Sequence, residues 1–168
     1  MIELSSVNQK VYIQENFLSL DEVRFYLNKA KKFPDEKRSC YNENNPMWKD
    51  RNVTITDDPI VEKVKFFLNK RFNLNLQIEQ AEIQNWIEGS YSQLHIHNGR
   101  GRDTTKYNSL IYLNNNFEGG VFFTSNGIVV KPEPGLLTFF DGSQVYHGLS
   151  QVKNNDRYTL IFWWKNNG

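Results

Sequence analysis

The residues best suited to chemistry are His95, His97 and His147, the full histidine complement of this 168-residue chain. His95-Ile-His97 lies in a run of strand character. Alternate strand side chains share a face, so both imidazoles can be presented to one point while Ile96 turns away. Two imidazoles make half of a metal site. His147, in another strand-like run fifty residues beyond His97, is the only imidazole left to supply a third ligand. Three protein ligands leave coordination positions open for substrate and oxygen, the arrangement of facial triads that hold iron(II).

Such a site must be positioned by strands folded back on one another, and the sequence supplies them. From Leu76 onward the apolar pattern has a period of two, with strand candidates at 81–87, 90–97, 107–113, 120–124, 128–131, 136–140, 144–147 and 158–164. Turn signals separate them: Glu88-Gly89, Asn114-Asn-Asn, Glu118-Gly-Gly, Ser125-Asn-Gly, Pro132-Glu-Pro-Gly and Asp141-Gly-Ser. Eight short strands with that punctuation predict a sandwich or jelly roll, and residues 90–164 leave no room for the crossover helices of a parallel sheet.

The first 75 residues read differently. A short strand at 11–17 is followed by Ser19-Leu-Asp-Glu22, a capping box, and by Leu20, Val23, Leu27 and Ala30 at helical spacing down to about Lys32. Residues 34–49 are polar and turn-rich and are expected to form an irregular loop, one of two rim loops with 98–106. A strand at 51–56 precedes a second helix capped by Asp58 with Pro59 in its first turn and Ile60, Val64, Phe67 and Leu68 on its buried face. These helices read as a buttress on the sheet. The expected organisation is a single domain over 1–168, mainly β, with helical support in 1–75 and a jelly-roll core in 76–168.

Composition narrows the partners. Lys and Arg number 20 against 19 acidic residues, a net charge of +1, which gives no electrostatic case for nucleic acid or an anionic membrane. A small-molecule or peptide/protein substrate is the expectation, and the oligomeric state is left open. The one cysteine, Cys40, excludes an internal disulfide and has no base or oxyanion motif beside it. The N-terminus lacks a basic start and an apolar run, and no apolar stretch approaches the ~20 residues that span a bilayer. A soluble, cytoplasmic protein is expected.

From about Leu76 to Trp164 the chain resembles the iron(II)- and 2-oxoglutarate-dependent oxygenases, in particular their prolyl 4-hydroxylase-like branch. The resemblance rests on Gly89, His95-Ile-His97, Tyr112-Leu-Asn114, Glu118-Gly-Gly120, Pro132-Glu-Pro-Gly135, His147 and Arg157, in that order. It implies a double-stranded β-helix, that is a cupin-like jelly roll, with iron(II) on His95, His97 and His147. It also implies 2-oxoglutarate anchored by Arg157, whose planar fork suits a carboxylate, and by Tyr112. Thr159 shares the strand face of Arg157, and Asn85 or Gln84 stands where the family places a polar side chain for the keto-acid end. Ascorbate is a further candidate cofactor. The implied reaction couples decarboxylation of 2-oxoglutarate to succinate and CO2 with hydroxylation of an unactivated C–H bond of a prolyl or other amino-acid side chain. Halogenation is disfavoured because His97 fills the position that halogenating relatives leave open.

The chain departs from the family at His97, where an aspartate or glutamate is usual. Asp103, beyond Gly-Arg-Gly-Arg, is an alternative second ligand. In another alternative His97 is the first ligand, no acid is used, and His95 contacts substrate or structure. Arg100 and Arg102 read as solvated turn residues or as contacts to an acidic or peptide substrate. Two other function classes stay open: a three-histidine metal dioxygenase of cupin type that needs no keto acid, and a catalytically silent binding module.

Overall fold

A computed structural model describes residues 1–6, 9–32, 39–41, 46–47, 50–97 and 105–167. In chain order, β1 (Ile2–Ser6) and β2 (Gln9–Gln14) precede α1 (Leu20–Lys32), and β3 (Ser39–Tyr41) and β4 (Asp50–Thr54) precede α2 (Pro59–Phe72). Strands then follow one another: β5 (Leu76–Trp86), β6 (Ser92–His95), β7 (Tyr107–Tyr112), β8 (Glu118–Gly119), β9 (Phe122–Thr124), β10 (Val129–Val130), β11 (Leu137–Asp141), β12 (His147–Leu149), β13 (Val152–Lys153) and β14 (Arg157–Asn166).

The strands form a larger sheet in the order β1-β2-β11-β7-β14-β5-β4-β3, a smaller one in the order β10-β9-β12-β6, and the two-stranded pair β13-β8. Every ladder between these strands is antiparallel. Strand alternation builds a core on each face of the larger sheet. On β14, Leu160, Phe162 and Trp164 join Val64 and Leu68 of α2 and Val23 and Ala30 of α1. The intervening Ile161 and Trp163 join Phe122 and Val130 of the smaller sheet, together with Tyr112 and Phe140. The molecule is therefore helices on sheet on sheet. Arg157 and Thr159 share the parity of Ile161, which turns them into the space between the sheets.

Local chemistry sets both helix starts. Ser19 N donates to Glu22 Oε2 at 2.9 Å and Glu22 N donates to Ser19 Oγ at 3.2 Å, the reciprocal capping box. Asp58 does more than cap. Its Oδ1 accepts from Ile60 N at 3.1 Å and from the Tyr26 hydroxyl at 2.7 Å, and its Oδ2 accepts from Lys29 Nζ at 2.6 Å, so one carboxylate ties α2 to α1.

The structure differs from expectation in several places. Within the loop expected at 34–49, Ser39–Tyr41 pairs with β4, an edge strand too short to leave a periodic signal. Leu20 is exposed and Tyr26 takes its place in the buried face of α1, because the Asp58 bond draws the phenol inward. Glu118-Gly-Gly, expected only as a turn, pairs through β8 with β13. The strand expected at 144–147 begins only at His147. Asp141 Oδ1 accepts from the backbone and hydroxyl of Ser143, and Val145 N bonds Asp141 O at 2.9 Å, holding 142–144 in a turn.

Burial works against the charged form of Asp58, but the bonds from Lys29, Tyr26 and Ile60 outweigh it and hold the carboxyl below its usual value. Asp58→Ala should lower stability in urea unfolding by about 2 kcal/mol. The deficit should be complete above the unfolded-state value of about 3.9 and should disappear as the pH falls through the lowered folded-state value.

Candidate metal centre and anion pocket

The smaller sheet assembles the histidines. β12 lies antiparallel to β6 with His147 directly opposite His95 in the ladder, which brings together residues far apart in sequence. His97 is placed by a different means from the one its spacing suggests. The strand expected through 90–97 stops at His95, and His97 N instead donates to Gly142 O at 2.7 Å, in the turn between β11 and β12.

The three rings converge. Ring centres are 4.2 Å apart for His95 and His147, 4.8 Å for His97 and His147, and 5.0 Å for His95 and His97. One ligating nitrogen from each lies within 4.8 Å of the others. Phe140 and Phe122 wall the cluster, with ring centres 4.6 and 5.5 Å from His147.

Each imidazole is oriented through its Nδ1. His95 Nδ1 donates to Gln93 O at 2.9 Å, His147 Nδ1 to Val145 O at 2.8 Å, and His97 Nδ1 to Asn108 Oδ1 at 2.6 Å. A carbonyl oxygen can only accept, so Nδ1 carries the proton in all three and Nε2 presents a lone pair. His95 Nε2 and His97 Nε2 face each other at 3.1 Å. Two lone pairs at that distance repel unless a shared proton or cation lies between them, so the donor set suits a metal ion. Burial holds His95 below its ordinary pKa. The same cause, with the neighbouring His95 and His97 adding to it, holds His147 well below, so these ligands stay neutral near pH 7.

Arg157 is 3% exposed and lies over the Tyr112 ring at 5.1 Å. Gly120, at φ +57°, makes room for it, since a Cβ there would stand 3.0 Å from Arg157 Cδ and 2.7 Å from the Phe117 ring. The Tyr112 hydroxyl, Thr138 Oγ1 and Arg157 Nε are buried and the phenol faces both Arg157 and Thr138, but none of the three atoms makes a hydrogen bond of good geometry among the described residues. Burial raises the Tyr112 pKa, so the phenol remains a neutral donor, and burial works against the charge on Arg157. Thr159 is buried opposite Tyr112 in the β14–β7 ladder. Tyr112 shares its core cluster with Phe122 and Phe140, the walls of the histidine site, so pocket and cluster are neighbours in one inter-sheet space.

Other expected residues lie elsewhere. Asn85 has the parity of Ala81 and Ile83, which pack toward the helices, and its Nδ2 bonds Asp156 Oδ2 at 3.2 Å. It is therefore on the wrong face for a cosubstrate, one residue out of phase with the site. Gln84 has the right parity but donates to Asp50 Oδ2 at 2.5 Å. Asp103, Arg100 and Arg102 lie outside the described residues, as does the side chain of Cys40. Sequence reasoning missed Asn108, Gly142 and Thr138. Thr138 was visible as the one polar side chain in the apolar run Leu136-Leu-Thr-Phe-Phe140, and Asn108 as an amide inside a strand destined for burial.

The family model for the 2OG-Fe(II) oxygenase superfamily matches residues 81–165, which include all three histidines and Arg157. No curated protein sequence matches the chain. Solved structures do. A prolyl-4-hydroxylase from Pseudomonas putida superposes with a TM-score of 0.76 at 21% identity, covering 94% of this chain and 93% of the other. The viral collagen prolyl hydroxylase of Paramecium Bursaria Chlorella virus-1, in its 2OG complex, gives 0.71 at 18% identity, with 92% and 94% covered. A Trichoplax adhaerens prolyl hydroxylase in complex with a hypoxia inducible factor peptide fragment gives 0.68 at 19%, with 93% and 83% covered. At these identities the likeness establishes the jelly-roll fold.

His95 and His147 bind protons less readily folded than unfolded. The metal-free protein should therefore lose stability as the pH falls below about 6.5, while carboxylates are still ionised. Urea midpoints between pH 7 and 5 check this, and His147→Gln should flatten the slope.

Proposed function

Because the chain belongs to the 2OG-Fe(II) oxygenase superfamily, we propose that it hydroxylates an unactivated C–H bond of a prolyl or other amino-acid side chain, using iron(II) and 2-oxoglutarate. The observation that carries this reading is Arg157. A buried guanidinium without a carboxylate partner is costly, and here it sits beside two buried hydroxyls in the inter-sheet space that also holds three convergent imidazoles.

His95, His97 and His147 would hold the metal through Nε2. Arg157 would pair with the distal carboxylate of 2-oxoglutarate, with the Tyr112 and Thr138 hydroxyls donating to the same group. When bound, the metal and cosubstrate supply oxygen activation and the decarboxylation to succinate and CO2. The protein's own work is positioning and exclusion of water. Phe122 and Phe140 keep the histidine side dry and the neutral phenol of Tyr112 donates without carrying charge. A prolyl or peptide substrate is supported by the fold shared with hydroxylases of that class, one of them solved with a peptide.

A second reading has its own support. Three imidazoles, with no carboxylate among the described ligand candidates, also suit a metal dioxygenase of cupin type that needs no keto acid. Oxygen consumption that proceeds without 2-oxoglutarate would mark that case.

His147→Ala should abolish both iron(II) uptake and succinate release, and undiminished turnover would show that the ligands are misassigned. Arg157→Ala should weaken 2-oxoglutarate binding on the order of 100-fold in calorimetry while leaving metal affinity within a few-fold. Equal loss of both would make Arg157 a structural residue.

A further inference from the structure

The His97 imidazole is held by a device that its neighbours lack. His95 and His147 donate Nδ1–H to backbone carbonyls two residues earlier in the chain, whereas His97 lies outside any strand and donates to a side chain, Asn108 Oδ1, at 2.6 Å. Asn108 sits on β7 of the opposite sheet and is fully buried. Its amide reaches His97 only because residue 142 is a glycine: a Cβ there would lie 1.9 Å from Asn108 Oδ1 and 3.2 Å from His97 Nδ1. The carbonyl of the same glycine takes His97 N at 2.7 Å. Backbone and ring of His97 are thus gripped together by Gly142 and Asn108.

Asn108 Nδ2 has no hydrogen-bond partner among the described residues. An amide kept at zero exposure with half its hydrogen-bonding capacity unused costs stability that an aliphatic side chain would not. The compensating contact among the described residues is the bond to His97.

We propose that Asn108 is a positioning residue for the metal centre: it fixes the Nδ1–H tautomer and ring orientation of His97, with Gly142 providing the space, and so makes an imidazole serve where the ligand set would otherwise have two members. The assignment rests on the metal-centre reading above. Its chemistry is that of an outer partner that orients a ligating histidine, whose loss typically costs 10–100-fold in metal affinity.

The test is cobalt(II) affinity of the full chain, read from its visible absorption. Asn108→Leu, similar in size but without an acceptor, should bind about 10–100-fold more weakly than wild type. Asn108→Asp, which restores an acceptor for Nδ1–H, should bind within about threefold of wild type or tighter. In a His97→Ala background, Asn108→Leu should cost nothing further, because its effect passes through that ring. A second readout needs no metal: long-range proton–nitrogen spectra of the metal-free protein should show His97 as the Nδ1–H tautomer in wild type and Asn108→Asp, but as a mixture in Asn108→Leu. Equal cobalt affinity for wild type and Asn108→Leu would overturn the assignment while leaving the centre intact, as would an undiminished penalty in the His97→Ala background. A wild-type protein that takes up no cobalt overturns both.

Discussion

The ladder between β6 and β12 is the constraint on which the site depends. It sets His147 opposite His95, and both lie on the inner face of the smaller sheet. Three imidazoles with ring centres within 5.0 Å of one another cannot all carry charge in a largely buried space. The fold meets this by giving every Nδ1–H a carbonyl to donate to, so that the Nε2 lone pairs meet at one point. The Nε2 atoms of His95 and His97 then stand 3.1 Å apart, a spacing that suits a shared cation.

The second half of the site follows from strand parity on the larger sheet. β14 turns Leu160, Phe162 and Trp164 toward the helices and the alternate set toward the smaller sheet, so Arg157, Thr159, Ile161 and Trp163 share one face. The helices pack on the apolar set. The same alternation therefore delivers a guanidinium to the interior, next to Tyr112 and Thr138, with no acid to neutralise it among the described residues. That placement is difficult to justify by stability and simple to justify by an anionic ligand.

Much of this was legible along the chain. The reciprocal bonds of Ser19 and Glu22 and the Asp58 cap with Pro59 are local chemistry, confined to a few consecutive residues, and they were readable as such. So were the period-two strands of the C-terminal half and the candidacy of the three histidines. What was misread involves longer range. His97 is near His95 because Gly142 binds its backbone, although strand alternation seemed sufficient to explain it. Asn85 was displaced by a phase error of one residue, which in a strand reverses the face. The start of β12 moved because the Asp141 carboxylate closed a turn that apolar patterning does not register. Tyr26 replaced Leu20 in the helix face through a bond to a residue thirty-two positions away.

By itself the sequence determined the types of group available, the local capping chemistry, the strand periodicity and the order of elements, because each of these is set within a few residues or by covalent connectivity. Tertiary structure alone decided which nitrogen of each histidine faces the centre, that Asn108 and Gly142 grip His97, and that Thr138 and Arg157 lie buried around Tyr112 with no carboxylate beside them among the described residues. Those facts depend on which strand lies across from which, in what register and at what distance between sheets. No local pattern encodes that spacing, since it emerges from packing both faces of the larger sheet at once.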